Sequence, residues 1–155
     1  MTDKLLLEKD GPIGWIVFNQ PEKRNAVSQE MWQLMPEYVN DLSKDDAIRV
    51  VILRGGGDKS FVSGADISQF EENRATEDAR AEYNRTVEAA YVAPILCPKP
   101  VVAKIRGICM GGGLGLAAAC DLRFAADNAV FRMPAARLGL GYSFTGMKRS
   151  SRGYA

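Results

Sequence analysis

The hydrophobic residues of this chain alternate between short continuous runs and stripes with helical spacing. Continuous apolar runs predict β-strands over residues 13–18, 48–53 and 100–105. Two shorter apolar runs, 122–126 and 129–133, predict two further strands around a turn. Strands that alternate with helices are typical of α/β domains, and α/β is the fold class that the pattern predicts.

Stripes with helical spacing lie between these runs. Over residues 31–42, apolar side chains recur every three or four positions, and Ser28 stands where a helix cap is expected. Pro36 lies inside this stripe and should kink the helix. A second apolar stripe covers residues 83–91, and its helix should end near Pro94 and no later than Pro98.

Two glycine-containing segments follow β-like apolar runs and indicate where chemistry could occur. The first reads Ser-Gly-Ala-Asp at 63–66, and the second is the triplet 111–113, which leads into a smooth apolar helix over 114–119. Backbone N–H groups at a helix N-terminus lack intrahelical acceptors, and the helix dipole favours negative charge there. The triplet therefore predicts a site for an oxyanion.

Composition narrows the class of protein. A length of 155 residues, with 46% hydrophobic and 25% charged, fits one globular domain with a substantial core. The net charge of +1 argues against nucleic acid as a partner, because basic side chains are not in large excess.

We find no apolar stretch long enough for a membrane span or a signal peptide, so we expect no membrane association and a cytoplasmic location. Cys97, Cys109 and Cys120 lie in apolar surroundings, which favours reduced buried thiols over metal ligands.

The sequence contains no histidine, and this excludes several classes of site. Ser-His-Asp and Cys-His nucleophilic machinery needs an imidazole, and so does every His-ligated metal site. Any general acid or base must then be a carboxylate, a lysine, a tyrosine or a cysteine. We expect no metal site.

Several short motifs occur in one order along the chain. In sequence order they are Asn19-x-Pro21, Asn25-Ala26, the segment 61–67, the segment 99–103, Gly107, the triplet 111–113 and the segment 120–125. As an ordered set they resemble the crotonase (enoyl-CoA hydratase/isomerase) superfamily over most of the chain, up to Gly146. The resemblance implies a spiral of ββα units whose C-terminal helical part is missing from this chain. It makes residues 1–147 an incomplete acyl-CoA-binding core and residues 148–155 a polar tail that we expect to be disordered.

The resemblance also implies a site and its partners. The thioester oxygen of an acyl-CoA would lie between the backbone N–H groups of Ala65 and Gly112, which would stabilise an enolate. Coenzyme A would enter as part of the substrate, without a separate cofactor, and the trimers or hexamers of the family imply a homo-oligomer. The implied substrate-binding positions are Lys23, Arg24, Ala26, Ser63, Asp66, Ile67, Met110, Gly111, Pro134, Tyr142 and Ser143.

Judged from the residues alone, several of these positions have simpler interpretations. Lys23 and Arg24 would lie in a solvated turn before a helix, and Asp66 would order its own loop. Ser143 has no histidine or other visible base in the sequence, which favours a turn serine over a nucleophile.

The chain departs from the family where the hydratases carry their two glutamates. The equivalent positions are Gly115 and Ala135, so neither carboxylate is present. Hydration of a double bond needs one group to activate water and another to deliver a proton. We therefore expect a hydratase/isomerase-like enzyme of fatty acid metabolism, in the lyase or isomerase class, with atypical or impaired catalytic acids. The alternative is a non-catalytic acyl-CoA binder or an inactive truncated fragment.

A third interpretation is a dinucleotide-binding oxidoreductase, because residues 113–118 fit the pattern G-x-G-x-x-A. Such a site needs a ribose-binding acid about twenty residues further on. No Asp or Glu follows Asp127 in the sequence, so the context argues against this interpretation.

Overall fold

The computed structural model of the chain describes residues 2–69 and 76–134. The strands are β1 (Leu5–Asp10), β2 (Ile13–Phe18), β3 (Val50–Gly55), β4 (Ser60–Val62), β5 (Val101–Ile105), β6 (Ile108–Met110), β7 (Leu122–Ala125) and β8 (Val130–Arg132). The helices are α1 (Gln29–Lys44), α2 (Glu77–Leu96) and α3 (Gly112–Ala119), with short 3-10 turns at Pro21–Lys23 and Ile67–Gln69. Within the described ranges, no helix combines the length and the hydropathy needed to cross a membrane.

The strands form two sheets. The larger sheet has five strands in the order β1-β2-β3-β5-β7, and the smaller sheet has three strands in the order β4-β6-β8. β1 and β2 form an antiparallel hairpin, whereas the other neighbouring pairs of these two sheets are parallel. Parallel strands need crossover connections, and α1 and α2 connect successive strands of the larger sheet.

The chain moves between the two sheets in a repeating order. β3, β5 and β7 of the larger sheet are each followed by a strand of the smaller sheet, β4, β6 and β8. α2 follows the first of these strand pairs and α3 follows the second. A parallel bridge between Val27 and Ala65 continues the smaller sheet just beyond the end of β4. The architecture is therefore the spiral of ββα units that the sequence resemblance implies.

α1 supplies a large part of the hydrophobic core. The side chains that it buries recur at helical spacing and are those of Met31, Trp32, Met35, Val39 and Leu42. Each fully buried large apolar side chain contributes about 1.5–3 kcal/mol of transfer free energy. Ser28 caps the helix, since its hydroxyl accepts a hydrogen bond from the Met31 N–H at 3.4 Å. The helix runs through Pro36 to its end, and α2 runs through Pro94 and ends at Leu96, close to the end that the sequence predicts.

A buried asparagine joins the loops that surround the first glycine segment. The Asn25 side-chain oxygen accepts a 3.0 Å hydrogen bond from the Gln20 N–H. Its Nδ2 donates to the carbonyl oxygens of Gly56 at 3.0 Å and Ser60 at 2.8 Å. These three bonds connect the end of β2 to the β3–β4 connection. They also give the Gln20 N–H and the carbonyls of Gly56 and Ser60 a hydrogen-bond partner, which buried backbone groups need.

The strand pairing differs from the sequence prediction at both ends of the larger sheet. The apolar pattern does not predict β1, because its second half carries charged side chains. β7 and β8 lie on either side of the predicted turn, but they pair with β5 and β6 rather than with each other. The turn between β7 and β8 stacks on the turn at Gly107, between β5 and β6. The Gly107 N–H donates to Asn128 Oδ1 at 3.2 Å, and the Gly107 carbonyl accepts a 2.8 Å bond from the Val130 N–H. Each strand thus pairs with the strand at the same place in the preceding ββα unit.

Candidate active site

The two glycine segments of the sequence meet at one edge of the smaller sheet. β4 and β6 are parallel neighbours, so the residues that follow them leave the sheet at the same end. A Cβ atom placed on Gly64 would lie 3.6 Å from the Met110 carbonyl oxygen and 3.9 Å from the Gly112 nitrogen. Gly64 has a φ of +123°, a backbone conformation that residues with a side chain rarely adopt. Segment 63–66 and triplet 111–113 therefore adjoin.

The start of α3 packs directly on β4. A Cβ on Gly113 would collide with the carbonyl oxygen of Val62 and would lie 2.8 Å from the Val62 Cβ. A larger residue at 113 would push the helix away from the strand. Glycine at this position brings the helix N-terminus next to the residues that follow β4.

The peptide group between Gly64 and Ala65 has an orientation fixed by Val27. The Gly64 carbonyl accepts a 2.8 Å hydrogen bond from the Val27 N–H, and the Asp66 N–H donates a 2.9 Å bond to the Val27 carbonyl. Because the N–H and C=O of one trans planar peptide group point in opposite directions, the Ala65 N–H points away from Val27. The Ala65 N–H donates to no other residue within the described part of the chain.

The Gly112 N–H is fixed in the same way. The carbonyl of Gly111, in the same peptide group, accepts a 3.1 Å hydrogen bond from the Gly115 N–H inside the first turn of α3. The Gly112 N–H therefore points out of the N-terminal end of the helix, where an amide has no intrahelical acceptor. Among residues 2–69 and 76–134, no group accepts a hydrogen bond from the Gly112 N–H. Two free amides thus belong to adjoining segments, and this geometry suits an oxyanion.

Comparison with known proteins identifies the family. The family model for enoyl-CoA hydratase/isomerase matches residues 8–153. The chain belongs to the enoyl-CoA hydratase/isomerase family. The protein is similar to the short-chain-enoyl-CoA hydratase of Clostridium acetobutylicum, with 34% identity over 150 residues, or 97% of this chain and 57% of that protein. It is also 37% identical over 134 residues to the mitochondrial Delta(3,5)-Delta(2,4)-dienoyl-CoA isomerase of Mus musculus, covering 81% of this chain and 41% of that protein.

Solved structures of the enoyl-CoA hydratase/isomerase family have the same fold. An enoyl-CoA hydratase/carnithine racemase from Magnetospirillum magneticum matches with a TM-score of 0.93 and 35% identity, over 98% of this chain and 57% of that one. A family protein from Hyphomonas neptunium matches with a TM-score of 0.90 and 38% identity, over 94% of this chain and 56% of that one. The chain thus spans a little over half the length of these structures.

This family member has no side chain at residue 115, and an aromatic ring lies in the space beside it. A Cβ on Gly115 would lie 2.9 Å from Cε1 and Cζ of Tyr91 and 3.0 Å from its hydroxyl oxygen. The hydroxyl donates a 3.3 Å hydrogen bond to the Gly112 carbonyl. The ring meets that of Trp32 edge to face, with centroids 5.5 Å apart. Ala135, the second position without a carboxylate, lies outside the described residues.

The first group of substrate-binding positions implied by the family forms a connected loop pair. Lys23 and Asp66 form a 2.8 Å ion pair, and the Ser63 N–H donates a 3.1 Å bond to the Arg24 carbonyl. The Ser63 hydroxyl also donates to the Lys23 carbonyl at 3.4 Å. These contacts bring four of the implied positions together, although the Lys23 charge is already paired within the chain. Of the other two, Ala26 is buried and Ile67 is exposed.

Asp66 orders its own loop, as its residue type predicts. Its Oδ1 accepts hydrogen bonds from the Ser68 N–H at 3.0 Å and the Ser68 hydroxyl at 2.7 Å. Burial opposes ionisation, but the bonds from Lys23 and Ser68 outweigh it and hold the pKa of the Asp66 carboxyl below its ordinary value. The carboxylate is therefore a structural anion rather than a proton donor.

The second group of implied positions lies beside the glycine triplet. Met110 and Pro134 line an open depression together with Arg132 and Met133. The Gly111 N–H donates a 3.0 Å bond to the Arg132 carbonyl, which fixes β8 next to the start of α3. The implied positions Tyr142 and Ser143 lie outside the described residues.

Two buried cysteines are unsuited to proton transfer. Burial raises the pKa of the Cys109 thiol to about 12 and also raises the pKa of Cys120. Both thiols therefore stay protonated at neutral pH. Tyr91, in contrast, contacts the glycine triplet, because its hydroxyl donates to the Gly112 carbonyl at 3.3 Å.

The apolar stripe over 83–91 predicts Tyr91 on the packing face of its helix, but the sequence does not show that Trp32 and Tyr91 contact α3. Trp32 is 1% exposed, and a Cβ on Gly112 would lie 3.3 Å from its Cζ2 atom. The available signal was Gly115 itself, since a glycine inside an apolar helix often indicates that another group approaches closely.

Proposed function

We propose that this protein binds an acyl-CoA thioester and stabilises the enolate form of its acyl group, as an enzyme of the lyase or isomerase class. Its membership of the enoyl-CoA hydratase/isomerase family supports this. So do the names of its relatives, a short-chain-enoyl-CoA hydratase and a dienoyl-CoA isomerase. Coenzyme A would be part of the substrate, with no separate cofactor.

The observation that carries the proposal is the orientation of two peptide groups. Val27 turns the Ala65 N–H away from itself, and the first turn of α3 directs the Gly112 N–H out of the helix end. Loss of a proton from the α-carbon of a thioester leaves negative charge on the carbonyl oxygen. Two N–H donors fixed beforehand stabilise that charge without reorganisation, and the loss of one such donor costs about 10²–10³ in rate in other enzymes.

The lack of a carboxylate at Gly115 limits which reactions fit. Addition of water needs a base and an acid, and residue 115 supplies neither. We therefore expect feeble hydration of crotonyl-CoA, with enolate formation as the activity that remains. A non-catalytic acyl-CoA binder is the second candidate, and it too is favoured by Gly115.

The cellular location, the oligomeric state and the metabolic role of the protein are also proposed here. The described chain has three free cysteines, which suits the reducing environment of the cytoplasm. A homo-oligomer, trimeric or hexameric as the resemblance implies, and a place in fatty acid metabolism stay predictions.

A substitution of one amide tests the proposed site. Gly112→Pro removes the N–H, and proline is well accommodated at the first position of a helix. Gly112→Ala is the matched control, because it adds a Cβ next to Trp32 and Tyr91 but keeps the N–H. Calorimetric titration with butyryl-CoA should show binding to wild type and the alanine variant. The proline variant should bind about tenfold more weakly, the value of one hydrogen bond of about 1.4 kcal/mol.

Circular dichroism should show that both variants keep their helix content. Equal affinity of a folded Gly112→Pro variant and of wild type would contradict the proposed site. Failure of wild type to bind any acyl-CoA would contradict the proposed function as a whole.

A further inference from the structure

The Tyr91 ring lies where a side chain from residue 115 would extend. A Cβ on Gly115 would touch two ring carbons at 2.9 Å and the hydroxyl at 3.0 Å. Cα–Cβ bonds in a helix tilt toward its N-terminus, so a side chain at 115 would project toward the Gly112 end of α3. The phenol of Tyr91 therefore stands in the volume through which a functional group from residue 115 would reach the free amides.

The hydroxyl of Tyr91 is next to Gly112 itself. It donates a 3.3 Å hydrogen bond to the Gly112 carbonyl, and it would lie 3.3 Å from a Cβ placed on Gly112. Gly112 thus carries both the amide proposed to hold the thioester oxygen and the carbonyl to which this hydroxyl bonds. The hydroxyl can donate or accept a proton, which no aliphatic neighbour can do.

The ring has a fixed position. Trp32 is buried, contacts Tyr91 edge to face at 5.5 Å between centroids, and belongs to the core cluster of α1. Tyr91 itself is half-buried on α2, between core and surface. A ring held by an aromatic neighbour on one side and by the helix backbone at Gly115 on the other needs little reorganisation to act on a ligand.

Two other proton-transfer groups of the described residues, Asp66 and Cys109, are unsuited to the role. Asp66 is held as an anion by Lys23 and Ser68. The Cys109 thiol is buried and stays protonated. The Tyr91 hydroxyl, by contrast, contacts the first turn of α3 at the Gly112 carbonyl.

We infer that Tyr91 is the catalytic residue that exchanges the α-proton of the bound acyl-CoA, a role that rests on the proposed function. The phenolate form takes the proton from the α-carbon. The C–H electron pair forms the carbon–carbon double bond of the enolate, and the carbonyl pair moves onto the thioester oxygen between the Ala65 and Gly112 amides. The reverse step returns a proton from the phenol oxygen to the α-carbon. The phenolate forms by releasing its proton to water, so the cycle consumes no other reactant.

Deuterium exchange into butyryl-CoA in D₂O measures this step directly, because a saturated acyl group has no double bond to hydrate. NMR should show faster loss of the α-proton signal with wild type than in free butyryl-CoA. Tyr91→Phe keeps the ring and its packing on Trp32 but removes the hydroxyl, so the enzyme-dependent exchange rate should fall by about 10²-fold or more. Its Kd for butyryl-CoA should stay close to that of wild type.

Tyr38→Phe is the matched control, since it removes a hydroxyl that bonds the Leu5 carbonyl at 3.4 Å, away from the glycine triplet. It should exchange at the wild-type rate. A purely structural tyrosine would not lower the exchange rate while leaving the Kd for butyryl-CoA unchanged.

The outcomes separate the two proposals. Exchange at the wild-type rate by Tyr91→Phe, or binding by wild type without exchange above background, would overturn the role of Tyr91 and leave the binding site standing. Absence of binding by wild type would overturn the proposed function and this inference with it.

Discussion

Lys23 and Asp66 join two loops that lie 43 residues apart in the chain, through a 2.8 Å ion pair. The Asp66 side chain is 8% exposed, whereas that of Lys23 is 47% exposed. Asp66 directly follows Ala65, whose N–H points away from Val27. The pair therefore fixes the loop that presents one of the two free amides.

A double-mutant cycle of Lys23→Met and Asp66→Asn should detect this connection. The half-exposed lysine limits the coupling free energy to about 0.2–1 kcal/mol at neutral pH. The folded-state pKa of Asp66 lies below its ordinary value of 3.8, so its contribution to stability is present above 3.8 and is lost as the pH falls through the folded-state pKa. Urea titrations should show the coupling at neutral and mildly acidic pH and its decline below pH 3.8. A coupling that stays constant into strong acid would contradict this account.

Two glycines of α3 should respond differently to the same substitution. Gly113→Ala places a methyl group against the Val62 backbone, which cannot move without shifting β4, so we expect a loss of about 1–3 kcal/mol. Gly115→Ala meets only the Tyr91 side chain, and the gain in helix propensity of about 1 kcal/mol offsets the displacement of the ring. Thermal unfolding should therefore show a lower Tm for Gly113→Ala than for Gly115→Ala, by about 2–4 °C for each kcal/mol. Equal Tm values would show that α3 does not pack on β4 as described.

The three cysteines should react with thiol reagents at different rates. Cys97 is half-buried at the end of α2, whereas Cys109 and Cys120 are buried. Burial raises the pKa of Cys109 to about 12, so its reactive thiolate form is scarce at mildly alkaline pH. Labelling of the folded protein with a disulfide reagent should give one fast thiol, and Cys97→Ser should remove that fast phase. Fast reaction of two or more thiols in the folded state would contradict the described core.

Local structure was largely predictable from the sequence, because it depends on neighbouring residues. The stripe from Met31 to Leu42 gave α1, and the apolar runs gave β2, β3 and β5 to within two residues at each end. β1 escaped prediction because charged residues fill its second half and an edge strand needs few buried positions. α1 continues through Pro36, as the apolar stripe on both sides of that residue predicts, and α2 ends at Leu96, two residues after Pro94.

Strand pairing and contacts between residues far apart in the sequence were harder to predict. The turn at 127–128 predicted two strands correctly, yet their partners β5 and β6 are set by the stacking of whole ββα units. The triplet by itself predicted free amides at a helix N-terminus, whereas the pairing of Ala65 with Gly112 was indicated only by the family resemblance. Nothing local to Tyr91 shows that its ring reaches Gly115, since the two residues belong to different helices. The role of the two amides as an oxyanion site and the role of Tyr91 stay predictions for the experiments above.

The buried indole of Trp32 gives the protein a built-in optical reporter. The sequence has two tryptophans, and the other, Trp15, lies under Arg54 and Lys104, whose charged groups are 5.7 and 5.6 Å from its ring centroid. Trp15→Phe would leave a single tryptophan in the protein, in contact with Tyr91 and beside Gly112. Changes in the fluorescence of that one indole would then follow the arrival of a ligand in real time, without any attached label.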